Sequence, residues 1–430
     1  MTTATDAGQA VADAHRREWA FVLAATVRVA QDLDLAEECV QEAYAAALSA
    51  WEGDGIPGNP AAWLTTAAKR RAMDAIRRER TFRAKLPLLA EPEEVVDEFA
   101  LDELDKPDEG QVMDPEDVIP DEWLRLIFTC CHPALAQEAQ LALTLRLVCG
   151  LPTPDVAWAL LVSEQTMAAR ITRAKKKISA ARIPYRVPRP AELPDRLTAV
   201  LGVLHLLFAA GHTAPSGPTL MRTDLADRAL HLARTLRDLM PDEPEVRGLL
   251  ALLLVTDARR ATRTGAGGRL LRLEEQDHSL WDRGALAEAH ELIMAGLRGG
   301  RGGRYLLQAS IASLYAEAPT YEETDWTQIV ALYDRLLSLW PSPVVALNRT
   351  VPVSMARGPA AALAQVEALE QDGRLSRYQY LPAIKAELLQ RLGRTDEAAA
   401  AYRQALELTG NEAEREYLAG RLTGQEAGPA

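Results

Sequence analysis

Apolar residues recur along this chain at three- and four-residue intervals, and no sustained run of alternating β-branched residues appears. Such spacing predicts helices almost throughout, hence an all-α fold. In "DLDLAEECVQEAYAAALSAW", Ala36, Val40, Ala43 and Ala47 form one stripe, flanked by Tyr44, Leu48 and Trp51. The acids Glu37, Glu38 and Glu42, with Gln41, fall on the opposite side. "WEGDGIPGNP" breaks this helix with Gly and Pro. Asn59 and Pro60 then supply an N-cap and a first turn. The helix they open, "PAAWLTTAAKRRAMDAIRRER", starts apolar and ends strongly basic.

The pattern stops at residues 84–120. This stretch is rich in Asp, Glu and Pro, with scattered apolar residues, and reads as a poorly ordered acidic linker. Helical spacing resumes at "DEWLRLIFTCCHPALAQEAQLALTLRLVCGLP" and, after the Pro- and Arg-rich connector at 183–190, continues to about residue 422. This last part repeats weakly. Ala229, Ala233, Leu236 and Pro241 share a spacing with Ile329, Tyr333, Leu336 and Pro341, and with Ala398, Tyr402, Ala405 and Gly410. Degenerate copies of this kind predict stacked helical hairpins, and the final copy resembles a tetratricopeptide repeat.

Between these parts lies "TPDVAWALLVSEQTMAARITRAKKKI", with the layout of a helix-turn-helix. Thr153 caps a short helix with Pro154 in its first turn and Val156, Ala157 and Leu160 as its apolar face, and Val162 is the apolar residue of the turn. Ser163 is an N-cap for a second helix, whose Met167, Ile171, Ala174 and Ile178 recur at helical spacing. Thr166, Arg170, Arg173 and Lys177 lie on a neighbouring stripe, and Gln165, Ala169, Thr172 and Lys176 point outward. A helix of this kind fits the DNA major groove, its N-terminal residues on base edges and its cations on phosphates. Gln165 and Thr166 are placed for bases, Ala169 permits close approach, and Arg170, Arg173 and the 175–177 lysines reach phosphates. The alternative is an ordinary solvated face.

Charge sharpens this picture. The 430 residues carry a formal net charge of -13, so the basic helix stands out against an acidic whole. Hydrophobic residues at 48% and charged residues at 25% describe a soluble chain with room for several domains. Neither a signal peptide nor a membrane-length apolar run is evident, which predicts a cytoplasmic protein with no membrane partner. Cys39, Cys130, Cys131 and Cys149 form no CxxC pair and read as reduced, buried thiols. No catalytic constellation, metal set or cofactor motif emerges, so a non-enzymatic protein without cofactor is expected. In the last part, Asp257, Arg259, Arg260, Asp277, Trp281, Asp282 and Arg283 are the densest polar cluster. They read as helix caps and ion pairs, or as the lining of a groove.

The ordered blocks of residues 15–183 resemble an extracytoplasmic-function (ECF) sigma factor of bacterial RNA polymerase. "DLAEECVQEAYAAAL" resembles region 2.2, "PAAWLTTAAKRRAMDAIRRER" regions 2.3 and 2.4, and "ALTLRLVCGLPTPDVAWALLVSEQTMAARITRAKKKI" region 4. The chain departs from the family at Arg70, where Asn is common. Residues 190–422 resemble the long tetratricopeptide-like extension of one ECF subgroup, with a departure at His278. The resemblance implies sigma region 2 over 1–83, a linker over 84–120, region 4 over 121–183 and a regulatory extension over 190–422. It implies that Asp34, Glu37, Glu38, Gln41 and Glu42 dock on the β′ coiled coil of core RNA polymerase, and that the polymerase β flap is a second contact. Asp54, Gly55 and Ile56 in the glycine loop, with Lys69, Arg70, Arg77 and Arg78, would hold the promoter −10 element. Gln165, Thr166, Ala169, Arg170, Arg173, Lys176 and Lys177 would read the −35 element. The linker would pass through the RNA channel. A small co-encoded regulatory protein is a further expected partner. Against this stand a conventional helix-turn-helix regulator with a tetratricopeptide-like sensing domain, and a scaffold whose basic helices are incidental.

Overall fold

A computed structural model describes residues 4–85 and 122–423, apart from 182, 184–187, 189–191, 215, 218, 266–268 and 301. The acidic linker therefore lies outside the described residues, as does most of the 183–190 connector. Those described form helices joined by short turns, with only isolated β-bridges besides. By contacts they divide into two compact units: 1–151 with 169–200, and 152–168 with 201–430.

In the first unit, α1 (Ala4–Ala30), α2 (Leu33–Asp54) and α3 (Pro60–Lys85) pack on one another, and α4 (Glu122–Cys130) packs on α1. The stripe Ala36, Val40, Ala43 and Ala47 is fully buried, and Tyr44 and Trp51 are buried beside it. Leu48 instead faces outward, 47% exposed. Asp32 caps α2 through Leu35 N (2.8 Å), and Asn59 caps α3 through Ala62 N (3.0 Å). Small residues on α2 let the helices approach closely, and large ones close the ends. Trp19 of α1 donates its indole N–H to the Leu147 carbonyl (3.1 Å), at the end of α5 (Gln137–Leu147). All four cysteines are reduced and buried. Burial pushes their thiols upward, Cys131 to about 12, so they are inert packing groups.

Helix α6 (Thr153–Ala159) and the start of α7 (Glu164–Ala180) belong to the second unit, so the division falls within α7. Thr153 is the first helical residue rather than a side-chain cap, and Pro152 holds the cap position. Helix α8 (Leu193–His212) has the length and apolarity of a membrane span, but two thirds (67%) of its apolar window is buried inside the protein, as in a core helix.

The rest of the second unit comprises α9 (Thr223–Leu239), α10 (Pro244–Asp257), α11 (Arg283–Arg298), α12 (Arg304–Glu317), α13 (Trp326–Leu339), α14 (Pro343–Arg357), α15 (Pro359–Asp372), α16 (Tyr380–Arg391), α17 (Thr395–Leu408) and α18 (Glu412–Thr423). Successive helices pack pairwise, and α10 also packs on α12. The repeated positions fall on α9, α13 and α17; all their helical members are buried except Tyr333, which is half-buried. Close crossing has a specific cause at Gly248, where a Cβ would stand 2.5 Å from the Leu306 backbone nitrogen. Asn411, fully buried, donates to the Ala214 and Thr219 carbonyls (3.1 and 2.9 Å) and accepts from Glu414 N.

Candidate nucleic-acid and polymerase interfaces

Helix α7 sorts its residues as its spacing predicts. Ser163 Oγ accepts from Thr166 N (3.2 Å) and hydrogen-bonds the Thr166 hydroxyl (2.8 Å), fixing the helix start. Met167, Ile171, Ala174 and Ile178 are buried. Gln165, Thr166, Ala169, Arg173, Lys176 and Lys177 are exposed, and Arg170 is half-buried. The exposed set runs from two small polar side chains to a row of cations, an order suited to base edges followed by phosphates.

Lys175 departs from that row. It is 17% exposed and donates to Asp34 (2.8 Å) and to Glu37. Burial alone would lower its pKa; the hydrogen bonds and charges of Asp34 and Glu37 more than reverse this and hold it above the ordinary lysine value. Glu37 is not on the solvated side of α2. It is buried, with Arg146 of α5 at 3.5 Å and Gln41 donating to it at 3.4 Å. The acidic face thus splits: Glu38, Gln41 and Glu42 remain exposed, Asp34 is exposed but bonded, and Glu37 is enclosed. The sequence placed Lys175 among the lysines that reach phosphates and did not single out Arg146, because nothing local signals a partner more than a hundred residues away.

At the other group, α2 runs through Asp54 and ends at Gly55, whose φ of 88° disfavours any side chain. Ile56 follows at 42% exposure, an isolated apolar tip. Arg70, Arg77 and Arg78 are exposed on α3, and Lys69 is half-buried. Arg77 lies 3.8 Å from Asp74, and Arg71 pairs with Glu42 (3.4 Å). Trp63 stands edge-on to the buried Trp51 at 5.8 Å, as a core neighbour does. Loop and cations therefore lie at opposite stretches of α3, all solvent-accessible.

The turn of the helix-turn-helix adds a residue that sequence missed. Leu161 takes an unusual conformation, with φ of 55°. Most L-residues avoid this region. Leu161 packs against the second unit's hydrophobic cluster, which includes Leu363, Leu381 and Tyr402. Close by in sequence, Asp155 of α6 accepts from Ser216 Oγ (3.3 Å).

The polar cluster of 257–283 resolves mostly into caps and pairs. Asp277 and Asp282 cap the turns that follow them through Ser279 N and Ala285 N. Arg260 bridges Asp257 (2.8 Å) and Asp227 (2.6 Å). Trp281 donates to Thr262 Oγ1 (3.0 Å) and stacks on His278 at 4.0 Å. His205 and His212 are held neutral by burial, and nearby arginines reinforce this; His205 is pushed down to about 4.

Comparison with known families agrees with this layout. Sigma-70 region 2 matches residues 14–82, and sigma-70, region 4 matches residues 125–178. A family of unknown function (DUF6596) matches residues 196–296. An uncharacterized protein of Rhizobium meliloti (strain 1021), R00370, is 43% identical over 410 residues, covering 95% of this chain and 94% of its own. The chain belongs to the sigma-70 family, as an ECF-type sigma factor with a helical C-terminal extension. Its partners are accordingly core RNA polymerase and promoter DNA, and its process is transcription initiation.

Proposed function

We propose that this sigma factor selects its promoters through two surfaces and is controlled by its extension. The −35 element is read by α7, with Gln165 and Thr166 toward bases, Ala169 allowing approach, and Arg170, Arg173, Lys176 and Lys177 toward phosphates. The observation that carries this is the exposed row on α7 opposite its buried Met167–Ile178 stripe. The −10 element is held by Asp54, Gly55 and Ile56 with Lys69, Arg70, Arg77 and Arg78. Extruding a base there costs a few kcal/mol, which loop contacts must offset. Core polymerase is engaged through Asp34, Glu37, Glu38, Gln41 and Glu42 on the β′ coiled coil, and through region 4 on the β flap. Charge pairing there contributes register and encounter rate more than affinity. Because Lys175 occupies Asp34 and Glu37, full docking of that face requires Lys175 to let go. The protein works in the cytoplasm, without enzymatic activity of its own.

Control by the extension is supported by Leu161 and Asp155, which tie the first helix and turn of the −35 reader into the compact unit of the extension. The hairpins, which resemble tetratricopeptide repeats, provide a surface for a small co-encoded regulator. Run-off transcription from a −35-dependent promoter, with full-length protein and protein truncated after about residue 190, tests both parts. Transcription by the truncated protein should differ from that of the full chain. Equal activity refutes control by the extension, and failure of full-length protein to bind core polymerase refutes the docking assignment.

A further inference from the structure

Two adjoining cavities open within the extension. One, of about 330 Å³, is lined by Val255, Arg259, Trp281, Tyr315 and Tyr321 among others. The other, of about 610 Å³, is lined by Met355, Ile384, Leu388, Tyr402 and Tyr417 among others. Leu273, Tyr321 and Val351 line both, so the two adjoin at these side chains. Together they have the volume of a small-molecule site, with walls mainly aliphatic and aromatic, and the larger chamber also carries Glu274, Glu322 and Glu387 beside Arg272 and Arg391.

Arg259 is the anomaly. Its neighbour Arg260 takes both Asp257 and Asp227. Among the described residues, no hydrogen bond or ion pair reaches the Arg259 side chain. Arg259 is half-buried, its pKa is lowered by partial desolvation, and its side chain forms part of the wall of the smaller cavity. Nearby Arg263 is buried, its pKa pushed down to about 10 by burial and by Arg259 while Tyr380, Glu414 and Asp257 oppose the shift, and it donates to the His212 carbonyl and to Thr213 Oγ1 (2.9 Å). His212 is neutral and supplies no negative charge. A partly desolvated guanidinium with no protein partner, set in a mainly apolar cavity wall, is free to receive an anion.

We propose that this space is a binding site for a small amphipathic anion: a carboxylate received by Arg259, with an apolar body extending past Leu273, Tyr321 and Val351 into the larger cavity. A guanidinium receives a carboxylate through paired N–H donors, and the phenol and indole edges of Tyr315, Tyr321 and Trp281 exclude water around it. The apolar lining of the larger chamber sets the body's chemistry, either an aromatic ring or an alkyl chain. Arg259, Leu273 and Trp281 lie in the segment matched by a family of unknown function, whereas most of the larger chamber lies beyond it, and the site's existence does not depend on how α7 reads DNA.

Titration calorimetry on the full-length protein tests this, with 4-phenylbutyrate for the aromatic source, decanoate for the alkyl source, and the matching neutral alcohols as controls. One of the two acids should bind, at least about tenfold more tightly than its alcohol. R259Q should weaken that acid by about tenfold to a hundredfold while leaving the alcohol unchanged, the range expected of a charge-assisted hydrogen bond. In the absence of ligand, R259Q should melt no lower than wild type, since no hydrogen bond or ion pair of that side chain is lost; a purely structural arginine would give the opposite. V351W, which fills the shared wall without touching the guanidinium, should abolish acid binding and guards against misfolding of the first variant. The inference is overturned if neither acid binds up to millimolar concentrations, if acid and alcohol bind alike, or if folded R259Q keeps wild-type affinity for the acid.

Discussion

Helix α7, the proposed DNA reader, and the extension handle arginine in opposite ways. On α7, Arg173 is exposed and Arg170 half-buried, and the buried face contains only Met167, Ile171, Ala174 and Ile178. In the extension, Arg263 is buried and Arg259 half-buried, and neither makes an ion pair with a carboxylate. A helix that meets a polyanion gains by keeping its cations hydrated, because the DNA brings the compensating charge and releases counterions when it binds. A cavity that meets one small anion gains by the reverse, since a single desolvated guanidinium acts more strongly on a single ligand. Both regions rest on tightly packed helices, and they differ in where the charge is left unmatched.

The comparison can be broken first at its foundation. Gly248→Ala places a Cβ 2.5 Å from the Leu306 backbone nitrogen, where no side chain can yield. We expect a loss of about 3 kcal/mol in denaturant unfolding of the extension, with the buried cations exposed along with it. Wild-type stability for this variant would mean that α10 and α12 do not cross so closely.

A smaller effect is expected at the DNA surface. Arg170→Ala with Arg173→Ala should weaken promoter binding across sequences and reduce the salt slope by about 1 per arginine, as for phosphate contacts. Folding should be nearly unchanged, because neither side chain is fully buried. Electrophoretic shifts at several salt concentrations give the slope. Normal transcription by the double variant from a −35-dependent promoter would remove α7 from that role.

Lys175 provides the smallest and most discriminating test, because it has one neighbour of each kind. Lys175→Met should cost roughly 1–2 kcal/mol, since Glu37 keeps Arg146 nearby. Its pKa is raised in the folded protein, so its contribution is complete at neutral pH and lost as pH climbs through and above the ordinary lysine range. Wild type should therefore lose stability in alkaline solution by more than the Met variant does. The same variant should bind core polymerase at least as well as wild type, because Asp34 and Glu37 are released. Parallel pH-dependent unfolding of the two proteins would show that Lys175 is not bonded in solution.

Local sequence carried the helices, the caps at Asn59 and Ser163, the buried stripes of α2 and α7, and the ordered blocks that mark the family. These features depend on residues three or four apart, or on a side chain bonding its own turn, so they are visible in any short window. The same windows misplaced Glu37 and Leu48, which share the α2 cylinder with correctly placed neighbours. Periodicity gives the angle of a side chain around its own axis, but not which neighbouring helix stands there. Thr153 likewise had the composition of a cap and became a helical residue after Pro152.

What the amino-acid order determined, then, is an all-α sigma factor with its charges sorted into an acidic helix, an acidic linker and a basic reader. Only the tertiary structure decided that Lys175 reaches Asp34, 141 residues away, that Leu161 is held in a left-handed turn against a distant core, and that Arg260 rather than Arg259 takes the acids of its neighbourhood. The reason is the same in each case. A charge or an apolar side chain has many candidate partners along a chain, and only packing brings one of them within hydrogen-bonding or contact distance and leaves another cation unpaired.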